Sequence, residues 1–292
     1  RDPGRDRRGA RLADVERAAR WYAEPASVDD LVTLLRAAAE LDLRWFVLGR
    51  GSNLLVPDEG YDGLILHLDA ARWGAVTDLG EGRFRVGGGT RLKELCGVAA
   101  REGRTGFEFL EGIPGTVGGS LRMNAGAMGG WIFDVVESIE WLTPEGKVRA
   151  ARRDSFDALY RDCPQLHGSV VLSAVLRSAG RDEPAAIRTR MDEMGTKRRA
   201  SQPREASAGC VFKNPEGDKA GRLIDLSGLK GRAVGPVSVS PTHANFLVNA
   251  GEAKAADFLT LMRMVRAEVK ARQGVELQPE IVALGREWKE LL

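Results

Sequence analysis

The sequence predicts a mixed α/β protein built from more than one domain, and three observations carry that prediction. Short apolar runs that stop at glycine alternate with amphipathic stretches of helical period, as at 27–48 and 84–99. A glycine-dense stretch from Gly103 to Gly130 holds no long periodic segment, and loops of that length inside a compact domain are usually functional. A polar break at 179–184, with Gly180, Asp182 and Pro184 in quick succession, precedes a second set of helices and strands.

The elements follow in order. Ser27 can cap a helix, Asp29 and Asp30 suit its positive N-terminus, and Leu31, Leu34, Leu35 and Ala38 recur at helical spacing. Strands are expected at 44–48, stopping at Gly49, and at 64–68. Phe84 to Val86 runs into Gly87, Gly88, Gly89 and Thr90, after which Leu92, Leu95, Cys96 and Ala99 mark a second amphipathic helix. Segments 138–143, 147–151 and 169–177 look like strands of a mixed sheet, and 185–199 is a charged helix. Beyond Pro203 come a glycine-bearing strand, a helix at 220–226, strands near 234–239 and 246–249, and a long helix over 254–272. Phe258, Met262, Val265 and Val269 form the core face of that last helix.

The chain has 292 residues, about two domains by length, with 43% hydrophobic and 29% charged residues, an ordinary balance for a soluble globular protein. No apolar run approaches a membrane span, so a soluble protein without a membrane partner is expected, and the three scattered cysteines fit a reducing cytoplasm. The 43 basic and 41 acidic residues nearly cancel, which argues against a broad nucleic-acid surface. Cys96, Cys163 and Cys210 lie far apart and form no CxxC pair, and His67, His167 and His243 stand at no metal-ligand spacing. Neither a disulfide framework nor a metal is expected. The basic stretch Arg1 to Arg11 has no apolar core and reads as a flexible arm, and the start at Arg1 leaves upstream residues open.

Two constellations carry chemistry. Gly49, Arg50, Gly51, Ser52 and Asn53 follow a strand, and their glycines let backbone N–H groups approach a phosphate. Leu54 at the third glycine position and Pro57 behind it exclude the dinucleotide fingerprint, and standing alone the loop is better read as a plain turn. The run Gly112, Ile113, Pro114, Gly115, Thr116, Val117, Gly118, Gly119, followed by Asn124, Ala125, Gly126 and Ala127, is more peculiar. Four glycines and a proline within eight positions suggest a rigid surface of bare amides lying against the pyrophosphate and flat ring of a cofactor. The alternative is an Ω-loop that merely packs. Three glycine-rich segments (49–51, 87–89 and 112–119) in one half of a chain favour the cofactor.

In that order, 47–56, 112–119 with 124–127, 207–215, 220–224 with 228–231, 243–246 and 277–280 resemble the UDP-N-acetylenolpyruvoylglucosamine reductase (MurB) family over roughly 21–285. The resemblance implies an FAD-binding fold of the vanillyl-alcohol-oxidase type in two subdomains (1–72 and 73–180) plus a C-terminal α/β substrate-binding domain (181–292). The extra tyrosine-bearing loop of longer members is missing, so the chain looks like the shorter type. Implied with the fold are FAD as cofactor, NADPH as hydride donor, a UDP-sugar substrate in peptidoglycan synthesis, and a monomer or weak homo-oligomer.

By the same resemblance Cys210 occupies the position of the proton donor, where the family more often has serine. A thiol of ordinary pKa, about 8.5, is mostly protonated at neutral pH and can act as a general acid; the plainer reading is a small packed side chain. Arg161 and Glu280 match the pair that stabilises the enol intermediate. Lys213, Asn214 and Asn245 match positions near the nucleotide-sugar, and Lys219 is placed to reach its diphosphate. The chain departs from the family before Ala19, where a threonine and paired glycines are usual, at Cys163 in place of serine, and at Ser201 in place of lysine. An oxidase of small alcohols or sugars on the same fold, and a non-catalytic UDP-sugar-binding protein, are the alternatives.

Overall fold

A computed structural model describes residues 19–292. The basic arm and the departing segment before Ala19 lie outside the described residues. Contacts divide the chain into two compact units, one of residues 21–49 and 63–198, the other of residues 50–62 and 199–292 with Ala19 and Arg20.

The larger unit is organised by a five-stranded antiparallel sheet in the order Val148–Arg152, Val136–Leu142, Val170–Arg177, Arg83–Gly87, Val76–Gly80. Register stacks Ile139, Ala174 and Val86 in one row, all buried. The helix Leu92–Arg101 adds Leu92, Leu95, Cys96 and Ala99 to that core, and Phe84 meets Phe107 edge-on at 6.0 Å. Val170, Leu172 and Leu142 belong to a second core with Leu31, Leu35, Ala38, Leu64 and Leu66. The central strand Val170–Arg177 is therefore buried on both faces, which explains its near-continuous apolar run. The helix Val28–Glu40 starts where expected: Asp30 N–H donates to Ser27 Oγ at 3.1 Å, and the Asp30 carboxylate accepts from Ala26 N–H at 2.8 Å. Its neighbours are the parallel strands Trp45–Leu48 and Tyr61–His67.

One helix escaped the sequence analysis. Val117–Arg122 lies inside the glycine-dense stretch, although each of Gly118 and Gly119 is worth about 1 kcal/mol less than alanine in a helix. Tertiary bonds override that propensity: Val117 N–H donates to Thr90 O and Gly118 N–H to Gly88 O, both at 2.8 Å. Gly119 N–H reaches the capping Thr116 Oγ1 at 3.4 Å.

The smaller unit carries a four-stranded antiparallel sheet, Ala206–Cys210, Phe246–Asn249, Val237–Val239, Ala233–Val234, with the helices Ala220–Leu226 and Ala255–Gln273. Phe258, Met262, Val265 and Val269 are buried, as their spacing predicts. Segment 50–62 joins this unit for two reasons. Leu54–Leu55 pairs in parallel with Val282–Ala283, and the Asp58 carboxylate caps the long helix by accepting from Ala255 N–H at 2.7 Å and Ala256 N–H at 3.0 Å. The break at 179–184 marks the turn before the helix Pro184–Ser201 rather than the division of contacts, which falls at 198/199. The helix up to Arg198 stays with the larger unit, where Arg190 donates through both Nε and Nη2 to the buried Glu108 at 3.1 and 3.0 Å.

Candidate active site

The three glycine segments do not share one purpose. A Cβ at Gly87 would sit 2.0 Å from Trp73 O, one at Gly88 2.1 Å from Val171 O, and one at Gly89 2.8 Å from Leu68 O. The triple glycine exists because backbone meets backbone there, which corrects the expectation that all three segments answer to a ligand. The second correction concerns the amides. Those of Val117, Gly118 and Gly119 are consumed by the hydrogen bonds given above. Among the described residues, those of Gly112, Gly115 and Thr116 have no backbone or side-chain acceptor.

That remaining surface fits a diphosphate-bearing cofactor. Gly49, at the end of the strand Trp45–Leu48, comes so close to Thr116 that a Cβ there would lie 2.9 Å from Thr116 Oγ1. Asn124 is 4% exposed at a positive φ of 37°; its Nδ2 donates to Leu159 O at 3.0 Å while its buried Oδ1 has no partner. A buried acceptor left so carries a desolvation penalty of about 1–3 kcal/mol, which a donor from a bound molecule relieves. Pro114, Gly126 and Ala127 are half-buried beside these groups in sequence. Gly126 is also required by packing, because a Cβ would lie 2.5 Å from the Trp131 ring. Arg50, Gly51, Ser52 and Asn53 are half-buried, with Gly51 at φ 65°.

In the larger unit, Tyr160 and Arg161 occupy the tip of a tight turn closed by Leu159 N–H to Asp162 O at 3.0 Å. Arg161 sits at φ 58°, a left-handed conformation that costs a non-glycine residue on the order of 1 kcal/mol or more and that recurs at functional sites. Its guanidinium lies 5.3 Å from the Tyr160 ring centre and 5.5 Å from that of Trp131, and the two rings meet edge-on at 5.8 Å. A cleft of about 240 Å³ beside them is lined by Asn124, Trp131, Phe133, Arg153 and Tyr160 among others. Asp162 takes Arg122 Nη1 at 2.6 Å and has His167 Nε2 at 2.7 Å. Burial works against its ionisation, but these two partners outweigh it and hold the carboxyl below its ordinary range. Trp131, Asp162, Arg122 and His167 were not singled out from sequence; the run Tyr160-Arg161-Asp162 was the available signal.

In the smaller unit, Cys210 ends the strand Ala206–Cys210, and its register slips: Ser207 pairs with Val248 but Cys210 with Phe246. One extra residue is accommodated at Ala208–Gly209, with Gly209 at φ 84° and open space where a Cβ would be. Such bulges re-aim a side chain, here that of half-buried Cys210. The next residue holds Glu280 close, since Glu280 N–H donates to Val211 O at 2.7 Å. Asn53 Nδ2 donates to Glu280 O at 3.3 Å, and Val282 N–H to Asn53 O at 2.9 Å. Asn53 thus anchors the Glu280 segment as well as belonging to the expected phosphate loop.

The nucleotide-sugar candidates separate. Asn245 is 2% exposed and spends its side chain on the backbone of one residue, accepting from Phe212 N–H at 3.0 Å and donating to Phe212 O at 2.7 Å. It fixes the backbone at Phe212, within the 210–214 segment. Asn214 Oδ1 accepts from Ala220 N–H at 3.0 Å, capping the helix Ala220–Leu226. The ammonium groups of half-buried Lys213 and exposed Lys219 have no acidic partner among the described residues. Among those residues there is no group of three or more His, Cys, Asp or Glu placed to hold a metal, and no helix long and apolar enough to cross a membrane.

One unit with unspent amides and a buried unsatisfied carbonyl, and another with a bulge at Cys210, are those of a flavin-dependent oxidoreductase: residues 19–152 match the FAD binding domain family. Residues 202–284 match the C-terminal domain family of UDP-N-acetylenolpyruvoylglucosamine reductase. The UDP-N-acetylenolpyruvoylglucosamine reductase of Pelobacter propionicus is 41% identical over 266 residues, covering 91% of this chain and 89% of that one. That of Desulfosudis oleivorans is 42% identical over 274 residues, covering 90% and 87%. The crystal structure of the Thermus caldophilus reductase is similar with a TM-score of 0.78 at 36% identity, covering 90% of this chain and 91% of that one. The chain belongs to the UDP-N-acetylenolpyruvoylglucosamine reductase family.

Proposed function

We propose that this protein reduces UDP-N-acetylglucosamine enolpyruvate to UDP-N-acetylmuramate at the expense of NADPH, in the cytoplasmic supply of peptidoglycan precursors. The observation that carries the reading is the bulge that aims Cys210 next to the Glu280 segment, since a plain structural cysteine needs no such device. FAD, when bound, supplies the redox chemistry that passes a hydride from NADPH to the enolpyruvyl double bond. Gly112, Gly115 and Thr116 offer it their amides, and the 49–53 loop and Asn124 Oδ1 offer further polar contacts.

The chain's own part is proton and charge management. Hydride addition to one carbon leaves negative charge on its neighbour and on the adjoining carboxylate, so a donor and a counter-charge are both required. Cys210 Sγ holds the proton for that neighbouring carbon. Arg161, stiffened by two aromatic rings, holds the carboxylate and its developing oxyanion, and the Glu280 carboxyl orients the enol. Lys213 and Lys219 meet the diphosphate of the sugar nucleotide. The match over residues 202–284 favours this chemistry over a small-alcohol oxidase.

The visible spectrum tests it. The protein loaded with FAD is expected to be yellow, to bleach anaerobically with NADPH, and to recover its colour on addition of the enolpyruvyl UDP-sugar. Recovery that requires oxygen and ignores the sugar sinks the reductase reading in favour of an oxidase; binding of the sugar with no flavin uptake identifies a binding protein.

A further inference from the structure

Arg161 is exposed to a difficulty that its neighbours resolve. A left-handed arginine at the tip of a two-residue turn relaxes unless both ends of the turn are fixed. Both are. At one end Asn124 Nδ2 donates to Leu159 O at 3.0 Å, and at the other Asp162 Oδ1 receives Arg122 Nη1 at 2.6 Å and lies 2.7 Å from His167 Nε2. Arg122 ends the helix Val117–Arg122 whose start is welded to Thr90 and Gly88, so the clamp is anchored in rigid backbone. The Asp162 side chain is 29% exposed and carries two charge-assisted contacts on one oxygen, more than a surface carboxylate needs for solubility.

We infer that Asp162 is a positioning residue for the reaction: through Arg122 and His167 it locks the Leu159–Asp162 turn so that the Arg161 guanidinium is presented to the substrate carboxylate. This rests on the role proposed for Arg161. The carboxylate itself touches no reacting atom, and its effect passes entirely through the arginine.

A double-mutant cycle separates this from a stabilising role, with Asp162→Asn, Arg161→Ala and the double variant compared for flavin reduction by NADPH and for reoxidation by the enolpyruvyl UDP-sugar. Asp162→Asn is expected to slow reoxidation by about tenfold or more while NADPH reduction stays near wild type, and the double variant to stay within about threefold of Arg161→Ala. Multiplicative losses, or a normal Asp162→Asn beside a crippled Arg161→Ala, overturn the inference alone. A wild-type rate in Arg161→Ala overturns the reading of Arg161 and this inference with it. Should Asp162→Asn fail to fold, His167→Gln removes one arm of the clamp from a half-exposed position and is expected to show the same non-additivity with a smaller loss; full additivity there overturns the inference.

Discussion

Gly88→Ala decides whether the triple glycine serves packing or a ligand. The new methyl carbon would stand 2.1 Å from Val171 O, whereas carbon and carbonyl oxygen normally approach to about 3.3 Å, so something must retreat by about 1 Å. Val171 lies in the central strand, paired with Trp141 on one side and followed by Ser173 paired with Gly87 on the other, so the retreat is opposed by two ladders. Overpacking of this kind costs about 1–3 kcal/mol. It also loosens two hydrogen bonds at the site, Gly88 N–H to Leu172 O and Gly118 N–H to Gly88 O, worth about 0.5–1.5 kcal/mol each. A total of about 3 kcal/mol or more is expected, which in a unit of this size lowers the melting temperature by about 6–12 °C. Calorimetry on FAD-free protein is the assay, because bound cofactor would add its own stabilisation. Gly115→Ala is the contrast: its Cβ meets only Ser120 Oγ, at 3.3 Å, so the melting temperature should hold while FAD affinity falls. If Gly88→Ala melts within about 2 °C of wild type, the close-approach argument is refuted.

The proposed proton donor makes a second prediction: Cys210→Ser retains substantial sugar-dependent reoxidation, whereas Cys210→Ala keeps flavin reduction by NADPH and slows reoxidation by about 10²–10⁴-fold in stopped-flow absorbance. Asn245→Ala leaves the N–H and C=O of Phe212 without the partner they have here, and urea unfolding should show a loss of about 2–3 kcal/mol. His243 accepts from Asn245 N–H through Nδ1; burial lowers its pKa from 6.5, opposed by its own backbone contact and helped by Lys230. A lowered folded pKa means that the unfolded chain binds the proton first, so stability should be flat above pH 6.5 and fall as pH drops below it. Urea midpoints against pH should lose that slope in His243→Gln.

Much of the scaffold was legible because it obeys local rules. Ser27 and Asp30 make the cap their spacing announces, and Phe258, Met262, Val265 and Val269 face one core. Segment 50–62 was not legible, since its placement depends on a two-residue parallel pairing and on Asp58 reaching a helix about 200 residues away in sequence. The glycines show the same divide more sharply. Gly88 and Gly115 look equivalent as letters, but one is demanded by a carbonyl at 2.1 Å and the other leaves its amide unspent.

The site residues follow that logic. Asn245 and Asn53 were nominated as ligand contacts by motif alone, yet their side-chain amides are committed to Phe212 and Glu280. Asp162, which no motif nominated, fixes the turn that carries Arg161. Motif position alone therefore does not say which polar atoms the fold has already committed. In this fold Asn124 and Asp162 spend hydrogen bonds on the turn that carries Arg161, and Asn245 on the backbone two residues after Cys210. A bulge at Gly209 and a left-handed turn at Arg161 are local irregularities that pairing with neighbouring backbone must hold, so polar atoms near them face the protein.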